Sequence, residues 1–336
     1  MDLFLILEWT VKAVILLLFC VAGFAYLTFY ERRALARIQI RIGPNRAGPS
    51  GWLQPAADGI KLIFKEELIP AQAYRIVFLL APIITVFPAL VIMAVIPWGT
   101  SITLFGREIP LYVADINVGV LYLVSIASIS VYGIVLAGWS SNNKYAMMGG
   151  MRASAQMVSY ELALGLALIG PIMIAGSMSL VQIVEAQNPV WFIIYQPIGF
   201  LIFFIASVAE VNRAPFDMPE AEQELTAGYH AEYSGMKFAL FFMAEYVKMI
   251  AVSAIGATLF LGGFRGPFVD QVPILGPFYL FFKIMVLLFV LIWLRATLPR
   301  IRYDRLMAFG WKVLLPVALA NVFLTAVILV LIGGLG

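Results

Sequence analysis

Redox and metal chemistry have almost nothing to hold on to in this chain. Its 336 residues include one cysteine, Cys20, inside the first apolar run, and one histidine, His230. A lone thiol excludes a disulfide, a thiolate zinc site and an iron–sulfur ligand set. One imidazole cannot grip a haem from both faces. Neither a G-x-x-x-x-G-K-[ST] loop nor a G-x-G-x-x-G turn is present to cradle a nucleotide. Charge is scarce as well: 12% of residues are Asp, Glu, Lys or Arg, and the net charge is +3. Any electron that passes near this chain belongs to a partner.

What the chain has is apolar length. Hydrophobic residues make up 62% of it and the mean hydropathy is +0.96, too oily for a soluble domain. Runs long enough to cross a bilayer lie at about residues 9–29, 75–97, 118–139, 153–176, 191–209, 237–261, 276–296 and 311–333. The expected architecture is an all-α polytopic membrane protein of about eight transmembrane helices, one integral membrane domain over residues 1–336. The fifth run is the shortest and follows Asn188 and Pro189. No basic n-region or small-residue cleavage site accompanies the first run, which follows Asp2 and Glu8, so it reads as a retained anchor.

Lysine and arginine set the orientation. One set of alternate loops holds 17 of the 22 basic residues, and the opposite set holds only Arg107 and Arg265. By the positive-inside bias the first set faces the cytoplasm, or the matrix in an organelle, and both termini face out. No internal repeat is visible, which counts against the inverted-repeat transporters.

Two cytoplasmic loops are long, at about residues 30–74 and 210–236. In the first, the segment from Arg41 to Pro49 is dense in Gly and Pro and reads as a shaped, rigid turn. After it, Trp52 to Glu67 has a helical apolar stripe of Leu53, Ala56, Ile60, Ile63, Phe64 and Leu68, with Asp58, Lys61 and Lys65 on another face. Two roles fit this amphipathic stretch. It lies on the membrane surface with its lysines among anionic head groups, or it frames the mouth of a cavity where a lipid-soluble ligand meets Arg32, Arg41 and Asp58.

Carboxylates inside apolar runs need an explanation. Glu161 and Glu245 lie about 13 Å and about 12 Å in from Arg152 and Lys237 at the helical rise, so they reach similar depths. Lys248 follows Glu245 at i+3, within pairing reach on one helix face. Glu210 closes the fifth run, and Asp217, Glu220, Glu222 and Glu224 crowd behind it. Buried ion pairs pinning helices would account for the deep ones; so would a half-channel for protons or charge leading inward. A helix cap explains Asp217 and Glu220, and a solvated loop helix explains all four of the outer group.

Four segments then resemble one family closely: ERRALARIQIRIGPNRAGPSGWLQPAADGIKLIFKE, WSSNNKYAMMGGMRASAQMVSYELALG, AEVNRAPFDMPEAEQELTAGYHAEYSGMKFALFFMAEY and WLRATLPRIRYDRLM. They are similar, in order, to the inner-loop signatures of the H-subunit family of bacterial NADH:quinone oxidoreductase (complex I), equivalent to subunit 1 of mitochondrial NADH dehydrogenase. The resemblance implies a place on the membrane side of a quinone chamber, with a chain of acids leading to proton pumps. It implies quinone-chamber roles for Glu31, Arg32, Arg41, Asp58, Lys61, Lys65, Arg213, Phe242 and Met243. It assigns the proton or charge path to Glu161, Glu210, Glu245, Asp217, Glu220, Glu222 and Glu224.

By the same resemblance the chain binds no cofactor or metal, quinone is the substrate, and iron–sulfur clusters and FMN sit in partner subunits. Those partners are the hydrophilic subunits of the quinone site, small membrane subunits and antiporter-like subunits, together with membrane lipid and no nucleic acid. The implied location is the inner membrane of a bacterium. Membrane-bound hydrogenases and related dehydrogenases carry similar subunits and stay open as an alternative. A stand-alone transporter with a carboxylate path is the remaining rival.

Overall fold

A computed structural model of the chain describes residues 3–104, 107–217, 228–269 and 271–333. Helix α1 (Leu3–Ile38) has 36 residues and is about 54 Å long, well beyond a hydrocarbon core of about 30 Å. It therefore carries Glu31, Arg32 and Arg33 out to the membrane surface. The chain then doubles back through a turn in which Gly51 is essential. Its φ is +79°, and a Cβ there would sit 2.3 Å from the Pro44 carbonyl oxygen.

Helix α2 (Gln54–Phe64) follows, amphipathic as its stripe requires and with no buried residue. Ile60, Ile63 and Phe64 stand exposed along it. It ends at Phe64 because Lys65 turns extended (ψ 133°), four residues before the stripe runs out at Leu68.

Helix α3 (Arg75–Ile92) continues through a 3₁₀ turn at Met93–Val95. A short antiparallel hairpin joins it to the next helix: β1 (Ser101–Leu104) pairs with β2 (Arg107–Pro110), Ile102 opposite Ile109 and Thr103 opposite Glu108. Helix α4 (Gly119–Ser140) returns against α3, and the two backbones come unusually close. A Cβ on Gly133 would meet Thr85 Oγ1 at 2.1 Å and the Ala81 oxygen at 2.9 Å. Small residues at a crossing are how membrane helices gain close packing where the hydrophobic effect is absent.

Helix α5 (Lys144–Ala175) is the longest after α1, capped at its start by the Asn143 side chain. Three pieces follow: α6 (Leu180–Ala186), α7 (Phe192–Tyr195) and α8 (Pro197–Glu210). Here the structure refines the expectation of about eight helices: the fifth is present but short. Among the described residues seven helices have spanning length and apolarity, and α8, the expected fifth, has only 14 residues. That is about 21 Å, and Pro197 starts the helix where the run from 191 was expected to be continuous.

Helices α9 (Gly235–Phe260) and α10 (Leu275–Thr297) follow. The last rod runs from α11 (Tyr303–Phe309) through a π turn at Gly310–Leu314 into α12 (Leu315–Ile332). The π turn packs on Tyr160, whose hydroxyl donates to the Leu306 carbonyl at 2.9 Å.

The main core gathers Tyr160, Phe203, Met249, Phe260, Ile284 and Leu288 from α5, α8, α9 and α10. A smaller one joins Phe78, Met157, Tyr229, Tyr233 and Phe241 near the basic side. There Tyr233 stacks on Phe78 with ring centres 4.0 Å apart and donates its hydroxyl to the Phe78 carbonyl at 3.2 Å. Burial pushes the Tyr233 phenol up to about 12.

Candidate functional site

The site forms where α8 ends. After Glu210 the chain turns a corner over residues 211–216, with Asn212 at φ 55°, a conformation its short amide side chain tolerates. Phe216 N donates to the Arg213 carbonyl at 2.8 Å and closes the turn. This throws Arg213 inward between three helices.

Arg213 is 6% exposed and meets carboxylates from two of them. Its Nη1 donates to Glu31 Oε1 of α1 at 3.2 Å, and its Nε lies 2.5 Å from Glu245 Oε1 of α9. Its guanidinium also lies 4.4 Å from the Tyr246 ring centre. Arg295, near the end of α10, donates to the same Glu31 oxygen and so ties α1 to α10.

Burial by itself weakens the charge on Arg213, but Glu245 first and Glu31 next outweigh it, so the guanidinium is held charged more firmly than usual. The cluster is not fully satisfied. Glu31 Oε2 and Arg213 Nη2 are buried without a hydrogen-bond partner among the described residues.

Deeper in, Glu210 is 9% exposed and its carboxylate faces Lys248 and Glu161. Glu161 accepts a hydrogen bond from the Ser128 hydroxyl of α4. Lys248, itself buried, lies near Glu210, Glu161 and Glu245. The expected pairing of Lys248 with Glu245 needs correction: among the described residues Glu245 forms its ion pair with Arg213. Helical spacing put Lys248 within reach, but the corner arginine arrives from another element and competes for the same oxygen.

At the membrane surface Asp217 accepts from Arg300 Nη2 at 3.0 Å. Burial raises its carboxyl above the ordinary range, while Arg300 works against that rise. Glu220, Glu222 and Glu224 lie outside the described residues.

The expected chamber residues separate into groups. Arg32 Nη1 donates to Asp58 Oδ2 at 2.7 Å, with Lys61 at 3.7 Å and Gln54 at 3.2 Å on the other oxygen, so these tie α1 to α2. Arg41 is exposed, bonded to Gln39 at 2.7 Å, and Lys65 is exposed. Neither joins that knot. Phe242 is half-buried between Phe238 and Tyr246, with ring centres 5.4 Å and 5.3 Å away, and Met243 packs against the main core.

A cavity of about 900 Å³ opens between α1 and α10, walled by Phe19, Tyr26, Trp52, Ile250, Phe281 and Met285. Arg33 and Arg37 line its basic end. Phe242 and Met243 are not in its walls. The part of α10 went unread in the sequence, although Phe281, Met285 and Leu288 recur at helical spacing there. Arg295, Tyr246 and Ser128 were missed too: their roles come from helix neighbours, not from sequence spacing.

A family model described as NADH dehydrogenase matches residues 11–326 of the chain. The H subunit of NADH-quinone oxidoreductase from Thermomicrobium roseum is 54% identical over 314 residues, covering 90% of this chain and 91% of the relative. The same-named protein of Protochlamydia amoebophila is 54% identical over 302 residues, covering 90% and 91%. In Syntrophobacter fumaroxidans the H subunit numbered 2 of NADH-quinone oxidoreductase is 52% identical over 322 residues, covering 96% and 95%.

Proposed function

The chain belongs to the NADH dehydrogenase family, and we propose that, as a membrane subunit of an NADH-quinone oxidoreductase, it forms the membrane side of the quinone chamber and carries an acidic path away from it. The observation that carries this reading is Arg213. It bridges Glu31 of α1, beside the cavity wall, and Glu245 of α9, which in turn faces Lys248. One residue thus connects the quinone side with the deeper acids.

The cavity between α1 and α10 supports a route for the quinone from the bilayer, because its walls are apolar and aromatic and suit an isoprenoid tail. The knot of Arg32, Asp58 and Lys61 holds α2 against α1 beside Trp52 and shapes that mouth. Reduction to quinol consumes two electrons, delivered by an iron–sulfur cluster of a partner subunit, and two protons. The proton demand and the change of charge act on Glu31 and Arg213 first. Glu31, Glu161, Glu210 and Glu245 carry four negative charges against three positive ones on Arg213, Lys248 and Arg295. The formal charges thus leave one excess negative charge beside the chamber, where the charge change of the quinone reaction acts.

Pumping itself belongs to antiporter-like partners, FMN and iron–sulfur clusters to hydrophilic ones. The bias of basic residues to one set of loops supports α2 on the cytoplasmic side of a bacterial inner membrane, with both termini outside. The test is an assembled complex carrying Glu161→Gln or Glu210→Gln. NADH-driven quinone reduction and pumping are expected to fall at least about tenfold. If both run unchanged in both variants, the acidic path is wrong.

A further inference from the structure

We propose that Gln156 is a positioning residue for the acidic path, holding the corner from which Glu210, Arg213 and Asp217 project; this rests on the path reading above. Gln156 sits on α5 and is wholly buried. Its Nε2 points at three acceptors on the corner: the Ala209 carbonyl at 2.9 Å, Asn212 Oδ1 at 3.1 Å and the Phe216 carbonyl at 2.9 Å. Each acceptor belongs to the residue immediately before a charged one, namely Glu210, Arg213 and Asp217. A carboxamide has two N–H bonds, so the three acceptors share them.

The corner's own backbone bonds close it locally. Asn212 N donates to the Ala209 carbonyl at 3.3 Å and Arg213 N to the Val208 carbonyl at 3.3 Å. They say nothing about where the corner stands relative to α5, which carries Glu161. Gln156 supplies that tie. Its orientation is locked, because a half-turn of the amide would set Oε1 against three oxygens. The cost is visible: Oε1 is itself buried with no hydrogen-bond partner among the described residues. A buried acceptor left open is destabilising, and the fold keeps it in exchange for a fixed corner.

A double-mutant cycle on the assembled complex tests this, with NADH-driven reduction of a short-chain quinone as the readout. Gln156→Met keeps the length and removes both donors. Displacing a positioned group by a fraction of its bond length is costly, so kcat is expected to fall about tenfold with KM within about twofold. In a Glu210→Gln background the same substitution is expected to change kcat by less than about twofold, because the corner limits turnover through the placing of Glu210, and that carboxylate is already gone. Equal losses in the two backgrounds mark a merely structural role and overturn the proposal, as does a Gln156→Met complex with wild-type kcat. Should the Gln156→Met complex fail to accumulate, Gln156→Asn keeps the amide one methylene short and carries the same cycle, with the same two results deciding. Glu210→Gln alone with wild-type kcat takes Glu210 off the path and overturns this proposal; the path reading itself falls only when Glu161→Gln is unchanged as well, an outcome distinct from failure of the cycle.

Discussion

The two ends of this helix bundle handle buried polarity in opposite ways. On the hairpin side, buried amides close on neutral partners. Gln187 uses both ends of its amide: Nε2 donates to the Thr258 carbonyl at 2.8 Å, and Oε1 accepts from Gly262 N at 2.7 Å. Gln196 donates to Thr325 Oγ1 at 2.6 Å and accepts from Asn321 at 3.0 Å. Even a buried cation there, Lys283, is held by the Gly263 and Arg265 carbonyls at 2.8 Å and 2.7 Å and lies over Trp191. On the α2 side, charged groups meet one another, and Glu31 Oε2 and Arg213 Nη2 keep open valences.

The difference teaches where change is cheap. A closed carboxamide knot has nothing to gain by moving and serves as a staple. A cluster of carboxylates and cations with open valences shifts its bonds whenever a proton or a charge nearby changes. The reactive end is thus the one that is left incomplete.

Removing a cation from each end is the sharpest way to break this comparison. Arg213→Met takes the shared cation from Glu31 and Glu245, leaving Glu31 with Arg295, and is expected to cost about 3–5 kcal/mol, seen as loss of assembled complex and of quinone turnover. Lys283→Met leaves two carbonyls short of a donor. It is expected to cost about 1–3 kcal/mol and to lower the thermal midpoint while turnover per assembled complex stays unchanged. Should Lys283→Met abolish turnover in complexes that do assemble, the hairpin side is no mere staple.

A smaller effect is expected from Gln196→Leu, which opens one neutral knot. About 1 kcal/mol of stability is lost, again with normal turnover in the assembled fraction. The smallest belongs to the exposed pair of Arg302 and Asp304, 3.2 Å apart. Arg302→Ala is expected to move the thermal midpoint by no more than about 0.5 kcal/mol allows, and turnover not at all. A large loss there would show that charge on the α2 side matters wherever it lies, and not only in the buried cluster.

Much of this was legible in the residues. Apolar runs marked every long span, because a helix must bring its own apolar length to cross a bilayer. Glu161, Glu210 and Glu245 stood out since a carboxylate in such a run is costly. The stripe after Trp52 announced α2. What stayed hidden depended on neighbours. The shortness of α8 was not visible, because Trp191 to Ala209 reads as one apolar run until Pro197 restarts the helix. Lys248 pointed to Glu245 by spacing, and the corner gave that carboxylate to Arg213.

By itself, then, the sequence determined the class of the molecule, its long spans, the side on which its basic loops gather and which acids lie at depth. Those follow from local composition and from the helical repeat, which need no partner. Only the tertiary structure decided which charges meet. Arg213 from a corner, Glu31 from the first helix and Glu245 from the ninth come together because three elements distant in sequence pack at one point, and Gln156 stands behind them for the same reason. Pairing of that kind is a property of packing, and no spacing along one helix encodes it.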